Sequence, residues 1–233
     1  QISCHSACPL SDKSIIFTGG TTEGKKEHCS PFIIFNSRDN EASIDSDFLT
    51  PSPNMKLAFE RNQINGKVVI SLFLFGGKKN RSVWTYGKKA WIQMPCEANF
   101  TRVRHSIVSF NGSLFIFGGL DEQNKPTNDL FIYNISKHEW SKPIFKGQIP
   151  LPRIDHSAVV YKNMMIIHGG RFNDSKICDT WFFDFNKMMW IQPTLSKCSP
   201  LVPRSGHVAV IVNHFMIILG GEGYCNLPFA LNI

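Results

Sequence analysis

The 233-residue sequence lacks three features, and each absence excludes a class of protein. It has no run of 18 apolar residues, so we expect no membrane-spanning helix. Its seven cysteines include no C-x-x-C pair, which removes the usual structural zinc spacing and predicts no bound metal. Long amphipathic helical stretches are also missing, whereas 19 Phe and 5 Trp are present, and this balance favours β-strands.

The start of the chain shows no basic segment followed by an apolar one, so a secretory leader is not evident. We therefore expect a cytoplasmic protein. Because the chain starts at Gln1 rather than Met, we also expect a piece of a longer polypeptide with an upstream domain. A secreted domain stays open as an alternative, because N-x-S/T glycosylation sequons occur. They are at Asn80, Asn99, Asn111, Asn134 and Asn173.

A glycine doublet recurs along the chain and marks an internal repeat. Each doublet closes an apolar run, and successive doublets are 57, 42, 51 and 51 residues apart. Periods near 50 residues indicate a repeat architecture with one supersecondary unit per period. The doublets are Gly19-Gly20, Gly76-Gly77, Gly118-Gly119, Gly169-Gly170 and Gly220-Gly221.

Other residues recur in the same frame. His105, His156 and His207 each stand 13 residues before a doublet, and an arginine stands three residues before each histidine. In the unit that contains His156, four short strands are expected. Their predicted ranges are 156–161, 164–170, 180–185 and 189–193. The repeat as a whole predicts five units, at residues 1–50, 51–97, 98–149, 150–201 and 202–233.

The glycine doublet, the aromatic strand that follows it and the spaced tryptophan together resemble the kelch repeat. The resemblance covers the chain in about five copies. It implies an all-β fold, a kelch β-propeller of about five to six four-stranded blades, with residues 1–233 in a single domain. We expect the doublets to permit close backbone approach and the tryptophans to be buried between blades. We expect the repeated histidines to hydrogen-bond neighbouring backbone groups or hydroxyls.

The sequence predicts no catalytic site. Gly220–Gly223 (GGEG) follows a strand, but no helical pattern comes after it, as a phosphate-binding loop requires. The Asp and Glu residues form no recurring pair that suggests acid–base partners. A histidine that recurs at the equivalent position in several units serves the repeat. We therefore expect no catalytic residue and no cofactor in this chain.

Basic residues are the candidate contacts for a partner. The net charge of +7 is compatible with RNA or an acidic protein, and equally with an ordinary soluble protein. Because arginine offers a planar fork to phosphate and carboxylate, an anion-binding mouth is one hypothesis. The alternative is that each repeated arginine pairs with an acidic side chain or carbonyl of the adjacent blade. The candidates are Arg102, Arg104, Arg153, Arg204, Lys78, Lys79, Arg81 and Arg171, with Lys25 and Lys26 in an earlier loop.

Two end segments carry a closer resemblance. They are SIIFTGGTTEGKKEHCSPFIIFNSRD near the start and ILGGEGYCNLPFALNI at the end. Both are similar to the kelch domain of the leucine-carboxyl-methyltransferase-like enzyme of wybutosine synthesis. The matching C-terminal element is Gly220, Gly221, Gly223 and Cys225. The resemblance implies an upstream S-adenosylmethionine-dependent methyltransferase domain, which would hold that cofactor, and a propeller that helps to position phenylalanine tRNA.

A protein-binding kelch adaptor or scaffold without any nucleic-acid role is the alternative function. The two interpretations predict different surfaces. Binding of tRNA requires a contiguous basic face, because phosphate contacts supply the affinity. A protein-binding domain requires exposed apolar or mixed-charge loops on one face.

Overall fold

The computed structural model describes residues 2–11, 14–22, 31–36, 41–49, 55–87, 90–193, 202–223 and 228–233, and only the backbone of those before residue 50. The predictions made for Lys25, Lys26 and Cys225 lie outside this part of the chain. Every regular element in the described residues is a β-strand, so the all-β prediction is confirmed. In the same residues no helix is long and apolar enough to cross a membrane. No group of three or more His, Cys, Asp or Glu able to hold a metal occurs among them either.

Five main sheets follow one another along the chain. The first contains β1 (Ile2–Ser11), β2 (Ser14–Thr22), β3 (Pro31–Asn36) and β4 (Glu41–Leu49). The second contains β5 (Met55–Ile64), β6 (Lys67–Gly76), β7 (Trp84–Gly87) and β8 (Ala90–Gln93). The third contains β9 (Ser106–Phe110), β10 (Ser113–Phe117), β11 (Leu130–Asn134) and β12 (Glu139–Ser141).

The fourth and fifth sheets enclose short two-stranded ribbons. The fourth sheet contains β13 (Ser157–Tyr161), β14 (Met164–His168), β17 (Thr180–Asp184) and β18 (Met189–Ile191), and its ribbon pairs β15 (Arg171–Phe172) with β16 (Ser175–Lys176). The fifth contains β20 (Val208–Val212), β21 (Phe215–Leu219) and β23 (Phe229–Asn232), with a ribbon of β19 (Arg204–Ser205) and β22 (Glu222–Gly223). Each main sheet falls inside one of the five predicted units.

The chain divides into two compact units. Unit 1 contains Gln1–Val103, Ser109–Leu114 and Tyr133–Trp140. Unit 2 contains Arg104–Val108, Phe115–Ile132 and Ser141–Ile233. A single domain over residues 1–233 therefore stays a prediction.

Tight turns join the first two strands of the second, third, fourth and fifth sheets. Asn65-Gly66 and Asn111-Gly112 both have positive φ, with values of 50° and 73° in the first pair. Positive φ at two central residues is the geometry of the hairpin turn whose twist matches that of the flanking strands, and Asn-Gly is its preferred sequence. Lys162 starts the predicted turn between β13 and β14 with a φ of 53°.

The tryptophans pack as the repeat predicts. In unit 2, Trp190 on β18 lies 4.8 Å from Phe117 of the third sheet and 5.0 Å from Phe183 of its own sheet, between ring centroids. In unit 1, Trp140 on β12 lies 5.1 Å from Phe75 of the second sheet. Each tryptophan therefore joins its own sheet to the preceding one, and tilted aromatic pairs of this kind add stability beyond the buried area.

The glycine doublets mark places where the backbone of the following repeat approaches closely. A Cβ atom on Gly169, which has a φ of +62°, would lie 2.8 Å from the carbonyl oxygen of Arg204. A Cβ on Gly118, with a φ of +66°, would lie 2.8 Å from the carbonyl oxygen of Arg153. Any larger residue would therefore meet both a clash and an unfavourable backbone conformation. This confirms the reason given for the doublets at Gly118 and Gly169, whereas Gly220 in the fifth doublet has open space around it.

Candidate functional site

The loops of unit 2 gather at one edge of its sheets. In the fourth sheet all neighbours are antiparallel, so the start of β13, the end of β14, the start of β17 and the end of β18 lie at the same edge. Backbone hydrogen bonds join successive loops there, such as the bond from the Gly119 N–H to the Arg153 carbonyl. We call this region the loop end of unit 2. It contains residues 120–129, 142–156, 171–179, 202–207 and 220–223.

The three repeated arginines are buried rather than exposed. Arg102 of unit 1 is 4% exposed, and Arg153 and Arg204 of unit 2 are 0% and 1% exposed. The guanidinium of Arg102 lies 5.2 Å from the centroid of the Phe100 ring and donates to the Thr101 carbonyl. Their predicted role in binding stays a prediction, and this burial favours the alternative that they serve the repeat.

Arg153 is held by one carboxylate and two backbone carbonyls. Its two terminal nitrogens donate to the two Asp179 carboxylate oxygens at 2.6 and 3.0 Å, and one of them also donates to the Gly169 carbonyl. Its Nε donates to the Leu151 carbonyl at 3.1 Å. Asp179 immediately precedes β17, so the acidic partner comes from the same sheet and not from an adjacent one. Arg204 differs, because its guanidinium lies 4.7 Å from the centroid of the Phe229 ring.

Backbone hydrogen bonds link three equivalent residues of unit 2 in series, Arg104, Asp155 and Gly206. Each of them stands two residues after a repeated arginine. The Asp155 N–H donates to the Arg104 carbonyl at 3.1 Å, and the Gly206 N–H donates to the Asp155 carbonyl at 2.8 Å. All three residues have positive φ, between 53° and 68°. The backbone conformation and its hydrogen bonds are therefore the same at this position in each repeat, whereas the side chain differs.

Two of the basic residues predicted as partner contacts lie at the same carboxylate of this chain, that of Asp155. Arg104 donates to both Asp155 carboxylate oxygens, with its Nε at 2.9 Å from Oδ1. An Arg171 nitrogen lies 4.0 Å from Oδ2 of the same carboxylate. Asp155 was not singled out in the sequence. Its position one repeat after Arg104 is the signal that could have found it.

The rest of the loop end combines ion pairs with exposed apolar side chains. Lys142 lies 2.7 Å from Asp129, and Lys176 lies 3.7 Å from Glu222. In the segment that follows Lys142, Ile144 is 97% exposed, and two further apolar side chains are exposed, Ile149 and Leu151. The surface is therefore of mixed charge with an apolar part. Sequence reasoning missed the apolar part because these residues lie outside the repeated frame.

The other predicted contacts lie elsewhere. Lys78, Lys79 and Arg81 are exposed in the loop of unit 1 between β6 and β7. The side-chain amide of Asn80 stabilises this loop by donating to the carbonyls of Gly76 and Ser82.

The C-terminal glycines of the predicted family-like element lie next to Arg204. Gly220 accepts from its guanidinium, Gly223 pairs with its backbone, and Gly221 would place a Cβ 2.7 Å from the Ser205 carbonyl.

The repeated histidines form a ladder between successive sheets of unit 2. His156 Nε2 lies 2.8 Å from Ser106 Oγ, and His207 Nε2 lies 2.9 Å from Ser157 Oγ. The prediction that they bond a neighbouring hydroxyl is confirmed for these two. Each serine directly follows the histidine of the preceding repeat, which explains the His-Ser pairs in the sequence.

Two buried imidazoles of unit 2 have strongly lowered pKa values. Burial lowers the pKa of His168 to about 4, and the nearby guanidinium groups of Arg204 and Arg153 act in the same direction against the carboxylate of Asp179. Burial, with His168 and Arg204 nearby, lowers the pKa of His207 to about 3. Both rings are therefore neutral at physiological pH and suit packing better than proton transfer.

These features define a class of protein. Repeated four-stranded sheets, a glycine doublet in close contact with the next repeat and a tryptophan that joins neighbouring sheets are the features of a kelch β-propeller. Residues 4–221 match the family model described as the KLHDC2/KLHL20/DRC7 Kelch-repeats domain. The chain belongs to this family, and its fold is the all-β kelch propeller.

Individual relatives match about half of the chain. It is 32% identical over 141 residues to Leucine-zipper-like transcriptional regulator 1 homolog of Drosophila melanogaster, covering 56% of this chain and 14% of that protein. It is 33% identical over 138 residues to Host cell factor 1 of Homo sapiens, covering 52% and 7%. It is 32% identical over 125 residues to Dynein regulatory complex subunit 7 of Chlamydomonas reinhardtii, covering 52% and 11%. The matched part is thus a small fraction of each relative, and none of these names mentions tRNA or wybutosine.

Proposed function

We propose that this kelch domain binds another protein, as an adaptor or scaffold module. The observation that carries the proposal is the surface of the loop end of unit 2. There Ile144, Ile149 and Leu151 are exposed, and the same loop end contains the ion pairs Lys142–Asp129 and Lys176–Glu222. This is the mixed-charge, partly apolar surface that protein binding predicts.

The energetics of protein interfaces and nucleic-acid interfaces also favour protein binding at the loop end. Protein interfaces obtain most of their affinity from a few apolar or aromatic side chains that lose water, with polar groups around them. Nucleic-acid binding depends on basic side chains that neutralise phosphates. At the loop end, Arg104 and Lys142 are already neutralised by Asp155 and Asp129. One relative is named as a subunit of a dynein regulatory complex, so a related protein assembles with others.

A charge substitution in the apolar part tests the proposal. We expect Leu151→Asp to remove a defined set of proteins that co-purify with the wild-type chain, because a carboxylate cannot enter a dehydrated contact. Met189→Asp is the matched control, since Met189 is an exposed apolar residue at the opposite edge of the fourth sheet in the same unit. Quantitative mass spectrometry of the three purifications gives the result. An identical set of proteins in all three would overturn the proposal.

A second proposal is that the domain helps to bind phenylalanine tRNA beside an S-adenosylmethionine-dependent domain. The net charge of +7 and the exposed Lys78, Lys79 and Arg81 of unit 1 favour it. Filter binding to this tRNA at 50 and 200 mM salt is the test, with Lys79→Glu as the variant. Affinity that falls steeply with salt and is weakened by the variant supports this proposal. Affinity equal to that of an unrelated basic protein would overturn it.

A further inference from the structure

The hairpin of β5 and β6 is longer than the equivalent hairpins of the third, fourth and fifth sheets. Each of its strands has 10 residues, whereas β9, β10, β13 and β14 have 5 each. The base of the hairpin is buried, at Met55, Leu57, Leu72 and Leu74. Its outer half leaves apolar side chains exposed, namely Phe59, Ile64, Val68 and Val69. The extra length therefore adds surface rather than core.

The outer half of β6 extends past its neighbour on one side. Strand β7 pairs with β6 only at Phe73 and Leu74, and it ends at Gly87, level with Ser71 in that register. The Thr85 hydroxyl donates to the Leu72 carbonyl, so the backbone groups of Leu72 point toward β7. Because the direction alternates along a strand, the N–H and C=O groups of Ile70 and Val68 point to the same side.

Within the described residues, no strand pairs with Val68 or Ile70 on that side. Their other neighbour is β5, where Val68 is opposite Gln63 and Ile70 is opposite Arg61. Two residues thus offer two donors and two acceptors along an exposed strand edge. Such an edge is a template for another strand, and β-branched residues favour the extended conformation.

We propose that the edge of β6 at Val68–Ile70 accepts an extended segment of a partner protein as an added strand. This recognition mode obtains affinity from main-chain hydrogen bonds and specificity from alternating side chains. Apolar side chains of the segment would contact Val68 and Ile70 on one face of the hairpin, and its acidic side chains would approach Lys67 on the other face. The inference rests on the proposed function in that its ligand is a protein, but it uses a separate surface in unit 1.

The charges on the outer half of the hairpin define the segment further. Lys67 is exposed there on β6, whereas the acidic Glu60 is half-buried and accepts from the Gly112 N–H at 2.7 Å. An acidic segment complements this surface. A second copy of the chain fits it less well, because each copy would bring the same cation to the contact.

The test uses the 233-residue chain and a synthetic peptide that alternates Val or Ile with Asp or Glu. Hydrogen exchange measured by NMR is expected to slow at the Val68 and Ile70 amides when the peptide is added. Ile70→Pro removes an outward N–H without removing a bond to β5, as proline on an edge strand can do. We expect it to weaken peptide binding at least about tenfold. Val69→Thr, whose N–H faces β5, is the matched control and keeps the affinity.

Other arms separate the competing outcomes. A peptide with Lys in place of Asp and Glu is expected to bind at least several-fold more weakly, because it repels Lys67. If Ile70→Pro lowers the thermal midpoint of the chain, Val68→Pro is the second variant at the same edge. Peptide binding that neither proline variant weakens, or no protection at the two amides, would overturn the proposal. So would a dimer in sedimentation that Ile70→Pro abolishes, since the edge would then serve a second copy. Leu151→Asp should leave peptide binding unchanged, so this test can fail independently of the loop-end proposal.

Discussion

The fourth and fifth sheets repeat the same frame 51 residues apart, but their equivalent faces have different surroundings. In the fourth sheet Val159 and Met164 pack against a buried cluster that contains Ile166 of the same sheet and Met216 and Ile218 of the fifth. One repeat later, Val210, Val212 and Phe215 are 46%, 46% and 37% exposed. The apolar alternation of a strand therefore predicts which face can be buried, but not whether a neighbour is there to bury it.

The repeated arginines give the largest expected effect in this comparison. Arg153→Met is expected to cost about 3–5 kcal/mol, because it leaves the Asp179 carboxylate and the Gly169 carbonyl without the guanidinium. Arg204→Met at the equivalent position removes the donor to the Gly220 carbonyl and the contact with the Phe229 ring, at an expected cost of about 1–3 kcal/mol. Urea unfolding of both variants is the measurement. Equal losses would show that the Asp179 carboxylate does not make Arg153 the more costly arginine to remove.

Glycines with similar φ but different surroundings give the next effect. Gly169 has a φ of +62° and no room for a Cβ, whereas Gly206 has a φ of +68° and open space around it. Gly206→Ala is expected to cost about 1–2 kcal/mol from backbone conformation alone. Gly169→Ala adds the clash with the Arg204 carbonyl, which raises the expected cost to about 3 kcal/mol or more. Thermal unfolding of the two variants tests the difference, and a similar cost for both would mean that Gly169 has more room than the structure shows.

The sequence predicted the repeated parts of this frame and missed the parts that vary. The glycine doublets recur in all five units, and the tryptophans and histidines recur at equivalent positions in several of them, so their positions already indicate a structural role. The partners of the arginines could not be found in this way, because Arg153 uses Asp179 and Arg204 uses Phe229. A partner that changes from repeat to repeat leaves no periodic signal.

The candidate surfaces were less predictable for the same reason. Ile144 and Leu151 lie in a connecting loop, and nothing in their sequence context distinguishes an exposed apolar residue from a buried one. The length of the β5–β6 hairpin was also missed, because a continuous strand pattern does not reveal where the next strand stops pairing. Sequence periodicity thus predicts the repeated scaffold. The exposure and strand pairing of the irregular segments can be found only from the structure.

The buried imidazoles predict a loss of stability in acid. The pKa values of His168 and His207 are about 4 and 3 in the folded chain, below the ordinary value of 6.5. Below pH 6.5 the unfolded chain therefore binds more protons than the folded chain. The free energy of unfolding is thus at its full value above pH 6.5 and falls as the pH decreases toward the pKa values of the folded chain. Each ring contributes up to about 1.4 kcal/mol per pH unit in this window.

Urea unfolding at pH 7.5, 6.5 and 5.5 measures this loss. His207→Gln is expected to reduce the slope below pH 6.5, because one of the two imidazoles no longer titrates on unfolding. The pH range stops at 5.5 so that most carboxylates stay ionised in both states. Stability that does not change between pH 6.5 and 5.5 would contradict the lowered pKa values.

The smallest effect concerns the two equivalent sheet faces themselves. Val159→Ser is expected to cost about 1–2 kcal/mol, because its methyl groups pack against the cluster shared by the fourth and fifth sheets. Val210→Ser is expected to change the free energy of unfolding by less than about 0.5 kcal/mol, since Val210 is exposed on the same strand position one repeat later. Urea unfolding of the 233-residue chain gives both values. A loss at Val210 as large as that at Val159 would mean that another surface covers this face in solution, and the two sheets would then differ less than they do here.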